Sequence, residues 1–273
     1  MEGRAETVPE GDGWSAAARS APLDRRVEAS AAGNATLDAA ATASLAADSA
    51  FFAPLREETR FYLVRHGQSE GNARKIIQGR RDFHLDEAGR AQAAAAGTWL
   101  SSEKIGAVIA SPLARAAETG RIIAAACGLP QPRLDPTLME IDTGMFSGIS
   151  LDEARLRFPE AYTAFEHQSW DGVPEAEKSG SLFERAMSAW ELLRGLALGG
   201  ERSIACVSHG GFIQWLVRAT FGGRKWMPLL PTSNCGIFEL LVTPTMAGYP
   251  AYMQWRLLNY QPAAGLSSLP PVF

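Results

Sequence analysis

The stretch Phe61–Asn72, FYLVRHGQSEGN, decides the fold of this chain. Its first four residues are apolar and β-prone and predict a short strand, whereas Gly67 and the polar residues after it predict a loop. Arg65 and His66 stand at the junction between the two. In sheets of parallel strands, the loops beyond the carboxyl ends of the strands form the ligand crevice. The stretch therefore predicts an imidazole presented beside a guanidinium that can hold an anion.

Short β-rich runs alternate with longer helical segments from Arg60 onward. The predicted strands are Phe61–Val64, Ala107–Ala110, Ile204–Ser208, Ile237–Val242 and Tyr252–Leu258. The predicted helices are Glu87–Leu100, Leu113–Ala126, Leu151–Phe158, Leu182–Leu198 and Phe212–Phe221. Strands separated by helices imply crossover connections and a parallel sheet covered on both faces. We therefore predict an α/β fold, a three-layer sandwich with a mostly parallel central sheet and helices on both faces.

Three further motifs complete a candidate phosphate site. SPLARAAET places Arg115 about one turn into a helix, LMEIDTGMFSG contains Glu140, and CVSHGG ends another apolar run with His209 and two glycines. Together with the RHG that follows the first strand, and in this order, these segments resemble the histidine phosphatase superfamily, which includes the cofactor-dependent phosphoglycerate mutases. The resemblance covers the chain from about Thr59 to about Gln261.

The resemblance indicates that His66 is the nucleophile. A neutral imidazole can attack phosphorus and form a phosphohistidine, which splits one displacement into two easier steps. The resemblance assigns His209 to phosphate binding as a cation, so the pKa values of the two histidines should be pushed apart. A histidine before Gly210 and Gly211 also fits a structural role in fixing a turn, and this alternative stays open.

Arg65 and Arg115 are the predicted phosphate clamp. A guanidinium is planar, matches the spacing of phosphate oxygens and stays charged at any working pH. Asn72 would add an amide contact, although an Asx turn that closes the loop is a competing role for it. Gln78 and Gly79 occupy positions that contact substrate in relatives, so we add them to the predicted substrate-binding residues. We add Gly210 because glycine permits a close approach of the backbone. The predicted substrate-binding residues are Asn72, Gln78, Gly79 and Gly210.

Glu140 is the predicted proton donor. An alkoxide is a poor leaving group, and a carboxylic acid near the bridging oxygen can protonate it and then take a proton from water in the second step. The position of Glu140 matches the donor motif of the family, where Phe146 stands in place of a frequent Trp. Asp142 is the alternative donor.

The resemblance implies a histidine acid phosphatase-type phosphoric monoester hydrolase that acts on a small phosphorylated metabolite. About 70 residues separate Glu140 from His209, and the segment Glu166–Ser181 reads as a polar, flexible cap. Mutases of the superfamily typically carry a longer insertion there, and VSHGG also favours the phosphatase branch. The alternatives are a cofactor-dependent phosphoglycerate mutase-type phosphotransferase and a regulatory protein that binds a phosphate ligand with little turnover. The substrate-selecting residues should lie in the cap between Gly144 and Ser181.

Composition limits the partners. The formal net charge of −4 argues against a general nucleic-acid binder, which would show a basic face. No apolar run approaches the ~20 residues that span a bilayer, so we expect no membrane partner. The sequence contains no acidic or cysteine-rich cluster at metal-ligand spacing, so we expect neither a metal nor another cofactor. Three scattered cysteines and the lack of a signal-peptide pattern predict a reducing, cytoplasmic location. The oligomeric state is left open.

The chain divides by composition into three parts. Residues 1–58 are rich in Ala, Gly and Ser and offer little apolar area to offset the entropy of ordering them, about 1–2 kcal/mol per residue. We expect a disordered extension there, with a helix near Ala35–Leu55 that docks Phe51 and Phe52 as the alternative. Residues 59–262 form the predicted catalytic domain, and residues 263–273 form a tail.

Overall fold

The structure, a computed structural model, describes residues 46–225, 229–246 and 249–264. The strands of this part of the chain are β1 (Thr59–Arg65), β2 (Ala107–Ala110), β3 (Arg133–Leu134), β4 (Ser203–Ser208), β5 (Ile237–Thr243) and β6 (Tyr252–Tyr260). Its α-helices are α1 (Ser49–Phe52), α2 (Glu70–Ala73), α3 (Glu87–Ser102), α4 (Ala114–Ala126), α5 (Leu151–Arg157), α6 (Pro159–Gln168), α7 (Ser179–Leu198) and α8 (Gly210–Thr220). All five predicted strands are present, and their ends lie within two residues of the predicted ones.

The strands form one sheet in the order β3-β2-β4-β1-β5-β6. β1 and β2 each pair in parallel with β4, and β3 pairs in parallel with β2. β5 is antiparallel to both of its neighbours, β1 and β6. Five of the six described strands therefore run in the same direction, which confirms the mostly parallel sheet. The adjacent strands β1, β2 and β4 are followed by His66, Ser111 and His209, so these three residues meet at one edge.

Helices cover both faces of the sheet, as predicted. Successive side chains of a strand point to opposite faces, and β1 shows this alternation: Phe61 and Leu63 belong to one buried apolar cluster, Tyr62 and Val64 to the other. The first cluster contains residues of α1, α7 and α8. The second contains residues of α3 and α4. The three-layer α/β sandwich is confirmed.

The packed body begins before residue 59, which corrects the predicted domain boundary. Phe51 and Phe52 are buried, and the ring of Phe52 packs edge-on against Trp190 of α7 at 5.6 Å between centroids. Asp48 starts the short helix α1 by accepting hydrogen bonds from its first N–H groups. Docking of these two phenylalanines was the alternative expectation for this region. The predicted disorder of the extension concerns mainly residues 1–45, which lie outside the described residues, as do residues 265–273 of the tail.

The segment between α5 and α7 is more apolar and more regular than expected. The single predicted helix Leu151–Phe158 ends at Arg157, and α6 follows directly because Pro159 can occupy the first turn of a new helix. A 3₁₀ turn, Ser169–Gly172, follows α6 and carries Trp170. Trp170 packs 4.8 Å from the ring of Phe165 and 6.4 Å from that of Phe146. Trp170, which lies in the segment Glu166–Ser181 expected to be a polar, flexible cap, therefore attaches this segment to an aromatic cluster.

Candidate active site

His66 is buried at the carboxyl end of β1 with its ring held in one tautomer. Its Nδ1 lies 2.7 Å from the carbonyl oxygen of Gly67, and only a protonated Nδ1 can donate to that acceptor. Nε2 is then the unprotonated nitrogen. Burial lowers the pKa of His66 well below its ordinary value, and the charges of Arg115 and Arg65 lower it further. The imidazole is therefore neutral and carries its lone pair on Nε2, as a nucleophile requires.

The loop that carries His66 is fixed by backbone contacts. The N–H of Gly67 donates to the Thr119 hydroxyl of α4 at 3.1 Å, and Asn234 donates to the carbonyl oxygen of His66 at 3.1 Å. A Cβ atom on Gly67 would lie 2.4 Å from the carbonyl oxygen of Gly89 in α3. Glycine at position 67 is therefore needed so that the loop can lie directly on α3.

Arg115 is oriented by two backbone carbonyls. Its two terminal nitrogens donate to Gly79 at 2.8 Å and to Arg81 at 2.9 Å, and its buried Nε has no protein partner among the described residues. Burial lowers the pKa of Arg115 to about 10, although Glu140 and Asp82 raise it. The guanidinium is thus charged at neutral pH. Gly79, which we predicted to bind substrate, lines the cavity and also positions this arginine.

Arg65, the last residue of β1, lines the same cavity as Arg115. Its guanidinium donates to the carbonyl oxygen of Thr232. Burial lowers its pKa to about 10, and the nearby carboxylate of Glu140 opposes this shift. A Cβ atom on Gly210 would lie 3.2 Å from Nε of Arg65. Glycine at position 210 therefore lets the first turn of α8 lie against the arginine, so the close approach predicted for the glycine pair is present.

His209 lies next to His66 with its side chain completely buried. The two ring centroids are 5.1 Å apart, and Nε2 of His209 lies 2.8 Å from the hydroxyl of Ser111. His66 lines the cavity, and His209 is not among the described residues that do. Burial lowers the pKa of His209 well below its ordinary value, and the charge of Arg115 and the proximity of His66 lower it further. Burial and cations thus act on both histidines in the same direction, whereas the sequence led us to expect their pKa values to be pushed apart.

Glu140 caps the first turn of α8. Its Oε1 accepts hydrogen bonds from the N–H groups of Ile141 and Phe212, both at 2.9 Å, and its Oε2 accepts one from Gly211 at 3.2 Å. A Cβ atom on Gly211 would lie 2.7 Å from Oε1 of Glu140. The second glycine of the pair is thus required by the carboxylate. Oε2, with the single longer hydrogen bond, is the oxygen more open to exchange a proton.

Asp142, the alternative donor, binds groups outside the cavity lining. Its Oδ1 accepts a hydrogen bond from the N–H of Gly144 at 3.1 Å, and its Oδ2 lies 3.9 Å from Arg80. Asp142 is not among the described residues that line the cavity, whereas Glu140 is. The geometry therefore favours Glu140.

The loop that carries Glu140 is held by Arg185 of α7. Arg185 donates to the carbonyl oxygens of Thr137 at 3.0 Å and Met139 at 2.6 Å, and it lies 3.4 Å from that of Glu140. Its Nε and one terminal nitrogen bind the two carboxylate oxygens of Glu177 at 2.8 and 2.7 Å. Burial would raise the pKa of Glu177, but the hydrogen bond and charge of Arg185 outweigh it and lower the pKa. Arg185 thus joins α7 to the donor loop.

Asn72 closes the loop after His66, which is one of the two roles that we considered for it. Its side-chain oxygen accepts hydrogen bonds from the N–H of Ser69 at 3.1 Å and from Asn234 at 3.2 Å, which closes the loop. Gln78 similarly accepts from the Ser69 hydroxyl at 2.9 Å. Both residues line the cavity, and neither amide nitrogen donates its full complement of hydrogen bonds within the described residues. The amide nitrogens are therefore the groups available to a ligand.

These residues surround one cavity of about 310 Å³. Of the nine predicted site residues, His209 alone lies behind the lining. The predicted residues in the lining are Arg65, His66, Asn72, Gln78, Gly79, Arg115, Glu140 and Gly210. The two arginines can bind a dianion, and the uncharged imidazole can attack it.

Several residues that support the site were not predicted from the sequence. Ser111 follows β2 in the same way that His66 follows β1, so its position at a strand end was a usable signal. Asn234 precedes β5, an antiparallel strand, and nothing local marks its contact with the His66 loop. The other two histidines, His84 and His167, are exposed and are not among the described residues that line the cavity.

Comparison with known proteins defines the family. The family model of the histidine phosphatase superfamily (branch 1) matches residues 61–247, and the chain belongs to this superfamily. It is 41% identical over 182 residues to phosphoglycerate mutase-like protein 4 of Arabidopsis thaliana, which covers 65% of this chain and 78% of that protein. It is 32% identical over 220 residues to 2-carboxy-D-arabinitol-1-phosphatase of Triticum aestivum, which covers 79% of this chain and 43% of that protein.

The fold is shared with solved structures. A mycobacterial glucosyl-3-phosphoglycerate phosphatase superimposes with a TM-score of 0.62 at 24% identity, over 74% of this chain and 99% of that one. In the described ranges, no helix is both long enough and apolar enough to cross a membrane. No group of three or more potential metal-ligating side chains comes together in these ranges either.

Proposed function

We propose that this protein hydrolyses phosphomonoesters through a phosphohistidine on His66. The observation that carries the proposal is the neutral His66 imidazole, with Nε2 unprotonated, in a cavity whose lining also contains Arg65 and Arg115. The two arginines would bind the phosphate oxygens and neutralise the charge that builds up on them. One such electrostatic contact is typically worth about 10²–10³ in rate.

In the first step, Nε2 of His66 forms a bond to phosphorus while the bond from phosphorus to the ester oxygen breaks. The leaving oxygen takes a proton from Glu140, whose Oε2 is the more open oxygen. The alcohol departs, and the phosphoryl group stays on His66. The Nδ1 hydrogen bond to Gly67 stabilises the positive charge that the ring acquires.

In the second step, water attacks phosphorus and passes a proton to Glu140, which restores the acid. The bond from phosphorus to Nε2 breaks, and the imidazole and inorganic phosphate are regenerated. His209 would act as a phosphate-binding cation, with its ring centroid 5.1 Å from that of His66. It becomes a better cation once a dianion fills the cavity, because the bound charge offsets the arginines that disfavour its protonation.

Hydrolysis is favoured over phosphoryl transfer by two observations. The segment between Glu140 and His209 is short, and the 32% identical relative from wheat is named a phosphatase. A phosphoglycerate mutase-type transferase is the second candidate, because the 41% identical relative is named mutase-like. A purely regulatory phosphate binder would have no need of the complete set of nucleophile, clamp and donor.

The acid-phosphatase subtype belongs to the same proposal and is supported by the lowered pKa of His66. The nucleophile stays neutral in mildly acidic solution, so the acidic limb of kcat/KM should lie below pH 6.5, the ordinary pKa of histidine. The proposed cytoplasmic location is supported by Cys127, Cys206 and Cys235, which are free thiols.

The deciding experiment measures product partition. The protein is incubated with 3-phosphoglycerate and with a panel of phosphomonoesters, and free phosphate, transferred phosphate and 2-/3-phosphoglycerate interconversion are quantified. We expect release of free phosphate to exceed transfer. Efficient interconversion with little free phosphate would establish the transferase instead.

A further inference from the structure

We propose that the leaving group of the natural substrate is compact, apolar and uncharged, such as a single ring or a short branched chain, and that it carries no carboxylate. The inference rests on the proposed function and specifies the substrate class of the same cavity. Its evidence is the part of the lining that does not belong to the phosphate site.

Six apolar side chains make up half of the side chains in the remaining lining. They come from the segment after α2, the donor loop, the cap and the segment before β5. These residues are Ile77, Ile141, Leu151, Phe165, Trp170 and Leu229. Trp170 and Phe165 are held against each other and against Phe146. The cap therefore offers a fixed apolar wall and gains free energy by covering an apolar leaving group.

Three of the six polar side chains in this part of the lining, those of Thr143, Ser150 and Gln214, already take part in internal hydrogen bonds. Gln214 donates to the carbonyl oxygen of Leu230 at 2.6 Å and accepts from its N–H at 3.1 Å. The hydroxyl of Thr143 lies 2.8 Å from that of Ser147, and the hydroxyl of Ser150 caps α5. A sugar needs free donors and acceptors for each hydroxyl that it buries. Gln214, Thr143 and Ser150 therefore have fewer free donors and acceptors to offer to a sugar.

The charges also disfavour a carboxylated leaving group. Among the described residues that line the cavity, Lys75 is the one cation besides the two phosphate-binding arginines, and its side chain is exposed. Asp152 is exposed in the same lining and contributes a carboxylate. An exposed lysine in water binds a carboxylate weakly. Among the described lining residues, a carboxylated leaving group would thus meet one like charge and one solvated cation, and no buried cation beyond the phosphate-binding arginines.

The size of the cavity limits the leaving group further. A volume of about 310 Å³ is at the lower end of the roughly 300–1,000 Å³ that ligand pockets occupy. Part of this space belongs to the phosphate. The remainder suits a ring or a chain of a few carbons.

Two substrate series test the inference with the wild-type protein. The first is ethyl, propyl, butyl and pentyl phosphate, whose leaving alcohols have nearly equal basicity. We expect kcat/KM to rise about fourfold per methylene until the cavity is full, the factor that corresponds to about 0.8 kcal/mol per buried CH₂. The second series compares phenyl phosphate with 3-carboxyphenyl phosphate. It also compares butyl phosphate with 3-phosphoglycerate and with 2-carboxy-D-arabinitol 1-phosphate. We expect kcat/KM of the carboxylated substrate to be at least about tenfold lower in each comparison.

The residue that forms the wall is tested with a matched pair of variants. Phe165→Ala should flatten the chain-length dependence, and Phe165→Leu should largely restore it. Phe158 belongs to the same aromatic cluster, 6.5 Å from Phe146, but is not among the described lining residues, so Phe158→Ala should keep the dependence. Equal flattening by both alanine variants would contradict a specific role of Phe165.

The outcomes separate this inference from the proposed function. No rise along the alkyl series, or carboxylated substrates that are equal or better, would overturn the apolar substrate class while phosphate release still supported a phosphatase. Absence of phosphate release from every substrate would overturn the proposed function itself.

Discussion

Replacing Arg185 by Gln should impair protonation of the leaving group by Glu140 and leave the attack by His66 largely intact. Arg185 is not among the described residues that line the cavity, and it acts through the donor loop. The substitution removes the contacts to the carbonyl oxygens of Thr137 and Met139 and the paired hydrogen bonds to Glu177. Glu140 would then be free to shift, whereas the loop that carries His66 would not.

The size of the effect follows from burial. The side chains of Arg185 and Glu177 are 14% and 11% exposed. Removing one partner of a buried ion pair costs about 3–5 kcal/mol. Arg80 remains 3.1 Å from Glu177 and keeps part of the compensation, so we expect a loss of about 3 kcal/mol in the free energy of unfolding. A displacement of Glu140 by about 1 Å would lower the rate about 10²-fold.

The assay compares two leaving groups at the same phosphate site. Butyl phosphate needs protonation of its leaving oxygen and should lose about 10²-fold in kcat, whereas p-nitrophenyl phosphate needs little and should lose far less. Arg194→Gln is the matched control. Arg194 is also on α7 and donates to the carbonyl oxygen of Phe51 at 2.7 Å. Its guanidinium carbon lies 3.9 Å from the centroid of the Phe51 ring, and that of Arg185 lies 3.9 Å from the centroid of the Phe212 ring.

The control variant should lose some stability and keep the wild-type ratio of the two rates. Equal losses on both substrates in Arg185→Gln would refute the reasoning, because they would show that Arg185 supports the cavity as a whole and not the donor in particular.

Two further predictions concern stability. Phe52→Ala should lower the free energy of unfolding, measured in urea, by about 3–5 kcal/mol. Phe221→Ala, at a side chain that is 68% exposed, should change it by at most about 0.5 kcal/mol. Similar values for the two variants would place Phe52 outside the core. Below pH 6.5 the unfolded chain binds protons that buried His66 and His209 resist, so stability should fall by up to about 1.4 kcal/mol per pH unit for each histidine. The His66→Gln, His209→Gln double variant should lose this dependence between pH 6.5 and 5, and an unchanged slope would contradict it.

The sequence predicted the parts of the fold that depend on local pattern. The apolar runs of β1, β2 and β4 have a period and length that mark them as strands. Parallel strands bring their carboxyl ends to one edge, so His66 and His209 were expected near each other, and their rings are 5.1 Å apart. Arg115 was expected to point into the crevice because it follows β2 by one turn of helix. All three expectations use only spacing along the chain.

The rest depends on contacts between distant parts of the chain. Arg185 and Glu140 are separated by 45 residues, and no periodicity relates them. Phe51 and Phe52 follow an Ala-rich stretch and gain their burial from Trp190, which lies far along the sequence. The lowered pKa of His209 was not predicted, because the sequence shows a strand end but not the depth of burial that lowers the pKa.

The most direct test of the account is chemical identification of the phosphorylated residue. The protein is mixed briefly with a ³²P-labelled activated phosphomonoester, quenched in alkali and digested, and Glu140→Gln is run in parallel because slower attack by water should accumulate the intermediate. The account predicts a label on His66 that is stable in base and labile in acid, absent from His66→Ala, and reduced but not relocated in His209→Ala. Label on His209, no label in either wild type or Glu140→Gln, or full turnover by His66→Ala would contradict it.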